Sequence, residues 1–504
     1  MMKTLREFGL KNKIGLWYRF YGFLFCLAFS QNIQAFQPNN REKPNILIIF
    51  TDDHRYDAIG ALGNGQVKTP NIDALINGGT TFTNAYIQGA NSGAVCAPSR
   101  AQLLTGRGVF DLPDGNGHYF PASMISLPTV LGNSGYFTFI TGKSHNGPEA
   151  SMRGFKAGAK LYGLSNGYYI PHFRMPYQDF REDGAYGREH LYFVDGKKHD
   201  IKLNPDENLH HIGPHSSEIF AKAAIDFLEG YDKKDPFLLY LPFHAPHDTR
   251  NAPVKYHEMY PIEKIKLPLN FKQMHPFDNG DLYIRDEKLA PYPRTELDTK
   301  KQLADYYAII THMDDQIGKI LQTLERKGIR DNTIIIFASD SGLGMGSQGL
   351  FGKQNLYDDG GIHVPLVFNG AGIPKNERRE TLCYTFDIFP TICELSGTEV
   401  PNSVRGKSLV KSIQDSLAVP IRKELYFGYT HTQRALRNER FKLIEYVVQG
   451  RRYTQLFDIQ NDPYETTDLS KENGYARTLE DLRQRLITHR KKGLQWEDKF
   501  WANF

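Results

Sequence analysis

Three aspartates, two of them adjacent (Asp52, Asp53 and Asp340), and a cysteine four residues before an arginine (Cys96 and Arg100) are the groups best suited to chemistry here. Three like charges meeting in a dry cleft would be unfavourable without a cation. All-oxygen ligation suits Ca2+ or Mg2+ better than zinc, which favours His and Cys. Arg100, Lys143 and Lys353 can neutralise the oxygens of a tetrahedral anion and the charge that develops in a transition state. His145 and His247 titrate naturally near neutral pH and can move protons. Taken singly, each has an ordinary alternative: a buried structural cysteine, a solvated acid pair, a hydrogen-bonded histidine.

Convergence needs elements that end where these residues begin. Pro44-Asn45-Ile46-Leu47-Ile48-Ile49-Phe50 is a continuous apolar run typical of a buried parallel strand, and it stops at Asp52-Asp53. Ligands bind at the C-terminal ends of strands in open α/β sheets. Phe137–Thr141, Pro236–Leu241 and Thr333–Phe337 read as further strands; they lead into Lys143 and His145, into His247, and into Asp340. His363–Phe368 reads as another. The Cys96-Ala97-Pro98-Ser99-Arg100 stretch reads as a rigid turn entering a helix, with Pro98 in the first turn. Free backbone N–H groups there can hold an anion, and Arg100 can grip it through two donors. Helices are expected at Thr69–Leu75, Leu127–Leu131, Ser216–Glu229 (capped by Ser216), Thr299–Lys327 and Asp387–Ser396. Residues 147–215, with a hairpin-like piece near Leu191–Val194, and 250–296 are irregular insertions that suit a pocket wall. Short alternating strands after about residue 410 and a helix over Ala476–Arg490 read as a smaller antiparallel unit.

Cys96-Ala97-Pro98-Ser99-Arg100 followed by Leu104-Thr105-Gly106-Arg107 resembles the signature of the formylglycine-dependent sulfatases. Gly142-Lys143-Ser144-His145, Ala245-Pro246-His247, the lysine of Gly352-Lys353-Gln354-Asn355 and the Leu456–Glu465 segment are similar to further motifs of that family, and the likeness covers most of residues 44–495. The resemblance implies an alkaline-phosphatase-like α/β fold: a large, mostly parallel or mixed sheet flanked by helices, plus a C-terminal antiparallel sheet with a helix. The sequence divides into a signal at 1–35, a catalytic domain over 36–410 and an α/β subdomain over 411–504. Cys96 would be converted to 3-oxoalanine (formylglycine) by a formylglycine-generating or anaerobic sulfatase-maturing enzyme. Asp52, Asp53 and Asp340 would bind one Ca2+ or, second, Mg2+, with residue 96 and Ser341 in the same shell. Arg100, Lys143, His247, Lys353 and His363 would hold the substrate. The hydrate at position 96 would attack sulfur, His247 with Lys353 would protonate the leaving oxygen, and His145 would take the proton that lets sulfate depart.

Three positions depart from the family pattern. Ser341 stands where asparagine or histidine is usual, Gln348 replaces a common histidine, and His363 replaces a basic residue before Val364-Pro365. The rival readings are a phosphatase or phosphodiesterase of the same superfamily, which usually places Ser or Thr at the nucleophile, and a non-catalytic protein that binds sulfated glycans.

The 504 residues are 40% hydrophobic, as a globular protein requires. The formal charge of +4 belongs to the N-terminus: residues 1–35 hold five basic and one acidic residue, and without them 56 of each sign remain. Nothing in that balance points to nucleic acid. Basic residues before Tyr21–Phe29 and a cleavage point after Ala35 read as a secretory signal, an uncleaved anchor being the alternative. The mature chain then has no stable membrane span and is exported to the periplasm, cell surface or medium. Cys383 and Cys393 read as reduced core residues, a disulfide between them being the alternative. Export and pocket-forming insertions favour a sulfated oligosaccharide or polysaccharide, an algal galactan such as carrageenan or a glycosaminoglycan.

Overall fold

The computed structural model describes residues 43–162, 193–194, 197–198, 214–248, 250, 252–490 and 498–504. The expected signal at 1–35 and most of the first insertion lie outside the described residues. The first strand, β1 (Asn45–Thr51), is buried throughout. Leu47 and Ile49 enter one core, while Ile46, Ile48 and Phe50 enter another. Cover on both faces explains why the strand is a continuous apolar run and not an alternating one.

The remaining strands are β2 (Gly79–Phe82), β3 (Ala85–Tyr86), β4 (Gly89–Ala90), β5 (Phe137–Lys143), β6 (Ala157–Tyr162), β7 (Phe193–Val194), β8 (Lys197–Lys198), β9 (Phe237–Pro242), β10 (Thr333–Ser339), β11 (Leu366–Gly370), β12 (Glu377–Arg379), β13 (Cys383–Tyr384), β14 (Glu424–Tyr429), β15 (Gln433–Asn438), β16 (Phe441–Val448) and β17 (Arg451–Asp458). Eight form one sheet in the order β12-β2-β11-β10-β1-β9-β5-β6. The run from β10 to β6 is parallel, and β11 is antiparallel to both β10 and β2. This is the expected mixed, mostly parallel sheet. The helices Pro70–Asn77, Ser216–Gly230 and Glu296–Arg326 cover one face. Cys96–Thr105, Leu127–Asn133 and Ile388–Leu395 cover the other.

Local chemistry moved three expected boundaries. The long helix starts at Glu296, because the Thr295 side chain accepts from the Asp298 N–H and caps it. His215, not Ser216, caps the Ser216–Gly230 helix, its Nδ1 accepting from the Ser217 N–H. β11 begins at Leu366, not His363, since Pro365 has no N–H to give a ladder. β7 and β8 form the expected small antiparallel pair. Cys383 and Cys393 are buried and unbridged.

The second sheet has the order β17-β16-β15-β14-β4. Its C-terminal strands are antiparallel, while β4 joins parallel to β14. Leu482 and Leu486 of the Ala476–Thr488 helix pack with Leu436, Leu443 and Leu456. No helix among the described residues is long and apolar enough to cross a membrane.

Gly142 lies in β5 where the register with β6 shifts, and a Cβ there would meet the Pro242 carbonyl oxygen at 2.0 Å. Its φ of 122° is also one that only glycine adopts freely. Gly142→Ala is expected to cost about 1–3 kcal/mol or more. A lowered urea midpoint checks this, and a midpoint equal to wild type would contradict it.

Candidate active site

Thr51 of β1 pairs with Ser339 of β10, so Asp52 and Asp340 leave the sheet side by side. The Asp340 N–H donates to the Thr51 carbonyl at 3.0 Å. Lys143 ends the parallel strand β5. Asp53 turns with φ 63°, a strained geometry for a residue with a Cβ. The turn is held from two sides: the Asp53 N–H donates to Asp340 Oδ1 (3.1 Å), and the Tyr306 hydroxyl donates to the Asp53 carbonyl (2.6 Å).

Cys96 opens the buried Cys96–Thr105 helix, with Pro98 in its first turn as expected. Asn146 Nδ2 pins that turn by donating to the carbonyls of Ala97 (2.8 Å) and Gly117 (2.6 Å). Cys96 and the carboxylates of Asp52, Asp53 and Asp340, all buried, each bring a donor atom within 4.8 Å of the others. Lys353 Nζ donates to both oxygens of Asp53 (2.6 and 2.8 Å) and lies 3.0 Å from Cys96 Sγ. Ser341 Oγ donates to Asp53 Oδ1 at 2.8 Å and is 3.4 Å from Asp340 Oδ1. Lys143 Nζ pairs with Asp52 Oδ2. The Arg100 guanidinium, expected at a bound anion, is here engaged by the acids: 2.7 Å from Asp340 and 3.3 Å from Asp52, with a further bond to the Lys143 carbonyl at 3.0 Å.

Both expected proton carriers are present, in opposite states. His247 is fully buried, with Nε2 3.7 Å from Asp53 Oδ2. Burial opposes its charge, but the carboxylates of Asp248 and Asp53 together raise the imidazole well above its ordinary value. His145 is half-buried with φ 91°, and its Nδ1 has no hydrogen-bond partner. Burial, then Lys143, lowers it well below the ordinary value, so it is neutral at pH 7. His363, expected at the substrate, has neighbours outside the acid cluster. It stacks between Tyr56 (4.0 Å) and Tyr86 (4.9 Å), and its Nε2 meets the Thr83 carbonyl at 2.8 Å.

The acids remain under strain despite their bases. Burial, and then the charge of Asp52, pushes Asp340 up to about 6. Burial works the same way on Asp52, but Lys143, His247, Arg100 and Lys353 together hold it well below the carboxylate range. Asp52 Oδ1 is buried with no hydrogen-bond partner. An orphaned carboxylate oxygen among three converging acids fits a hard divalent cation. Several residues escaped sequence reasoning: Asn146, Tyr306, Asp248 and Arg285 carried no motif, although Asp248 adjoins His247.

A family model described as Sulfatase matches residues 44–398, and one described as N-sulphoglucosamine sulphohydrolase, C-terminal, matches residues 346–492. An arylsulfatase of Clostridium perfringens is 28% identical over 482 residues, 88% of this chain and 94% of its own. An ulvan-active sulfatase of Formosa agariphila is 29% identical over 450 residues, 86% of this chain and 78% of its own. Among solved structures, a protein in complex with its substrate D-glucosamine-2-N,6-O-disulfate superposes with a TM-score of 0.72 at 23% identity, covering 90% of this chain and 100% of that one.

Removing Lys353 takes the ammonium group away from both oxygens of Asp53 in the interior. Lys353→Met is expected to cost about 3–5 kcal/mol, as breaking a buried pair does. Urea unfolding measures it, and adding Asp53→Asn should recover part of the loss, exposing the coupling.

Proposed function

This chain belongs to the sulfatase family, and we propose that it hydrolyses sulfate esters of a carbohydrate at the cleft around Cys96. The observation that carries this reading is the gathering of Cys96, Asp52, Asp53 and Asp340 within 4.8 Å in the interior. Burial, then the charge of Asp52, pushes the Cys96 thiol up from its ordinary value. An unmodified thiol there would stay protonated at neutral pH and make a poor nucleophile. That supports oxidation of Cys96 to 3-oxoalanine by a separate formylglycine-generating or anaerobic maturing enzyme, the aldehyde hydrate supplying the attacking hydroxyl. Asp52, Asp53 and Asp340, with the Ser341 hydroxyl beside them, would hold Ca2+ or Mg2+, whose charge would polarise sulfate and ease ionisation of the nucleophile.

The protein's own groups divide the remaining tasks. Lys353, 3.0 Å from Sγ, sets a positive charge beside the nucleophile. Lys143 ends its strand against Asp52 and offers its charge to the sulfate oxygens. Arg100 keeps Asp52 and Asp340 together. His247, held protonated by Asp248, gives its Nε2 proton to the alcohol oxygen as the sulfur–oxygen bond breaks. His145, held neutral, accepts a proton on its free Nδ1 as sulfate departs.

For the substrate class, the relatives support a sulfated glycan: one is named for ulvan, and a structural neighbour was solved with a sulfated glucosamine. We extend this to sulfated oligosaccharides and polysaccharides, algal galactans such as carrageenan or glycosaminoglycans, met after export to the periplasm, surface or medium.

Cys96→Ser and Cys96→Ala are expected to release no sulfate from glycans that the wild type desulfates. Wild-type rates in either variant would overturn the reading, and intact mass reports the thiol-to-aldehyde change at residue 96. Ca2+ at a hundredfold excess over its Kd should raise unfolding free energy by about 2.7 kcal/mol. Asp340→Ala should remove that gain.

A further inference from the structure

His247 is approached on its two ring nitrogens by different company. Nδ1 lies 2.7 Å from the Asp248 carbonyl and 3.0 Å from Asp248 Oδ1. Both are acceptors only, so Nδ1 must donate, and Nε2 is the nitrogen left to exchange a proton. The Asp248 carboxylate is itself clamped from beyond. Arg285 donates to its two oxygens through NH1 (2.6 Å) and NH2 (3.0 Å), a bidentate pair.

Arg285 is fixed in turn by the second insertion. Its NH2 also pairs with buried Asp286 at 2.6 Å, and Asp286 accepts from Gln354 Nε2 at 2.7 Å, one residue from Lys353. The neighbouring Ile284 packs so closely on Gly93 that a Cβ there would meet its Cδ1 at 2.5 Å. Asp281 is bonded by the Tyr429 hydroxyl, and the Asn279 carbonyl accepts from Gln433 Nε2 at 3.1 Å. The segment before Arg285 is therefore anchored to β14 and β15, and its far end to the turn that leads to Cys96.

We propose that Asp248 and Arg285 are positioning residues that aim His247 Nε2 at the leaving oxygen, and that the 279–287 segment exists at this place to carry Arg285. The inference rests on His247 as the acid of the sulfatase reading. A proton donor matters most when the departing alcohol is a poor leaving group. Loss of its orientation must then cost little for acidic phenols and much for sugar alcohols, whereas a merely structural role would cost all substrates alike.

The test is kcat/KM for a series of aryl sulfates whose phenols span a range of acidity, and for a sulfated glycan, each rate normalised to the matured fraction at residue 96. For Asp248→Asn, the loss should grow from about threefold for the most acidic phenol to about a hundredfold for the least acidic, within the reach of general-acid catalysis. Arg285→Ala should show the same trend more weakly, and Arg285→Lys should restore part of it. On the glycan, the loss should fall in kcat with KM within about twofold. Where only glycans turn over, that split decides, and where Asp248→Asn does not fold, the Arg285 pair decides. An equal loss across substrates, or a change confined to KM, overturns this inference and leaves the sulfatase reading intact. A matured wild type that desulfates none of these esters overturns both.

Discussion

Three buried carboxylates facing one another are the constraint around which this protein is arranged. Like charges in a medium of low dielectric repel strongly, and desolvation alone makes each costly. The fold answers with Arg100, Lys143 and Lys353, each set against a particular acid. The compensation is uneven. Asp340 is still pushed upward, and one oxygen of Asp52 has no hydrogen-bond partner. The cleft is thus stable enough to fold, yet Asp340 and one oxygen of Asp52 stay incompletely compensated. In the proposed mechanism the bases that steady the acids also face the anionic ester, so one set of charges would serve both stability and catalysis.

Strand register turns that charge pattern into geometry. The parallel pairing of β1 with β10 makes Asp52 and Asp340 neighbours, and a one-residue slip would send one of them to the wrong side of the turn. Backbone strain is placed at the same spot: Asp53 and His145 both adopt positive φ. Such geometry persists only where surrounding bonds over-determine it. Tyr306 and Asp340 do this for Asp53 through its carbonyl and N–H.

The sequence displayed the strands clearly, since long β-branched runs such as Asn45–Thr51 and Thr333–Ser339 have few alternatives. It also displayed the acids and bases that follow those runs, because strand ends are where such residues are conspicuous. Boundaries were poorer guides: Pro365 delayed β11, Thr295 started the long helix earlier than expected, and His215 took over the cap expected of Ser216. His363 looked useful beside Val364-Pro365, but its direction depends on Tyr56 and Tyr86, which are distant in sequence. Arg100 could be assigned a charge but not an orientation, and the competition between two buried acids and an incoming anion is settled only in three dimensions. Arg285 had no local pattern at all, because its position follows from contacts with β14 and β15.

The small strand β4 carries a consequence for how the molecule is made. Gly89–Ala90 lies six residues ahead of Cys96, yet its partner β14 begins at Glu424. With no Cβ at Gly89, the backbones approach closely enough to seal the join. While the chain emerges from the ribosome, the segment bearing Cys96 must therefore wait for more than three hundred further residues before its edge is paired. Until then, the stretch around Cys96 lacks its final support, and a nascent chain halted before β14 holds that cysteine in a setting different from the sealed interior of the finished protein.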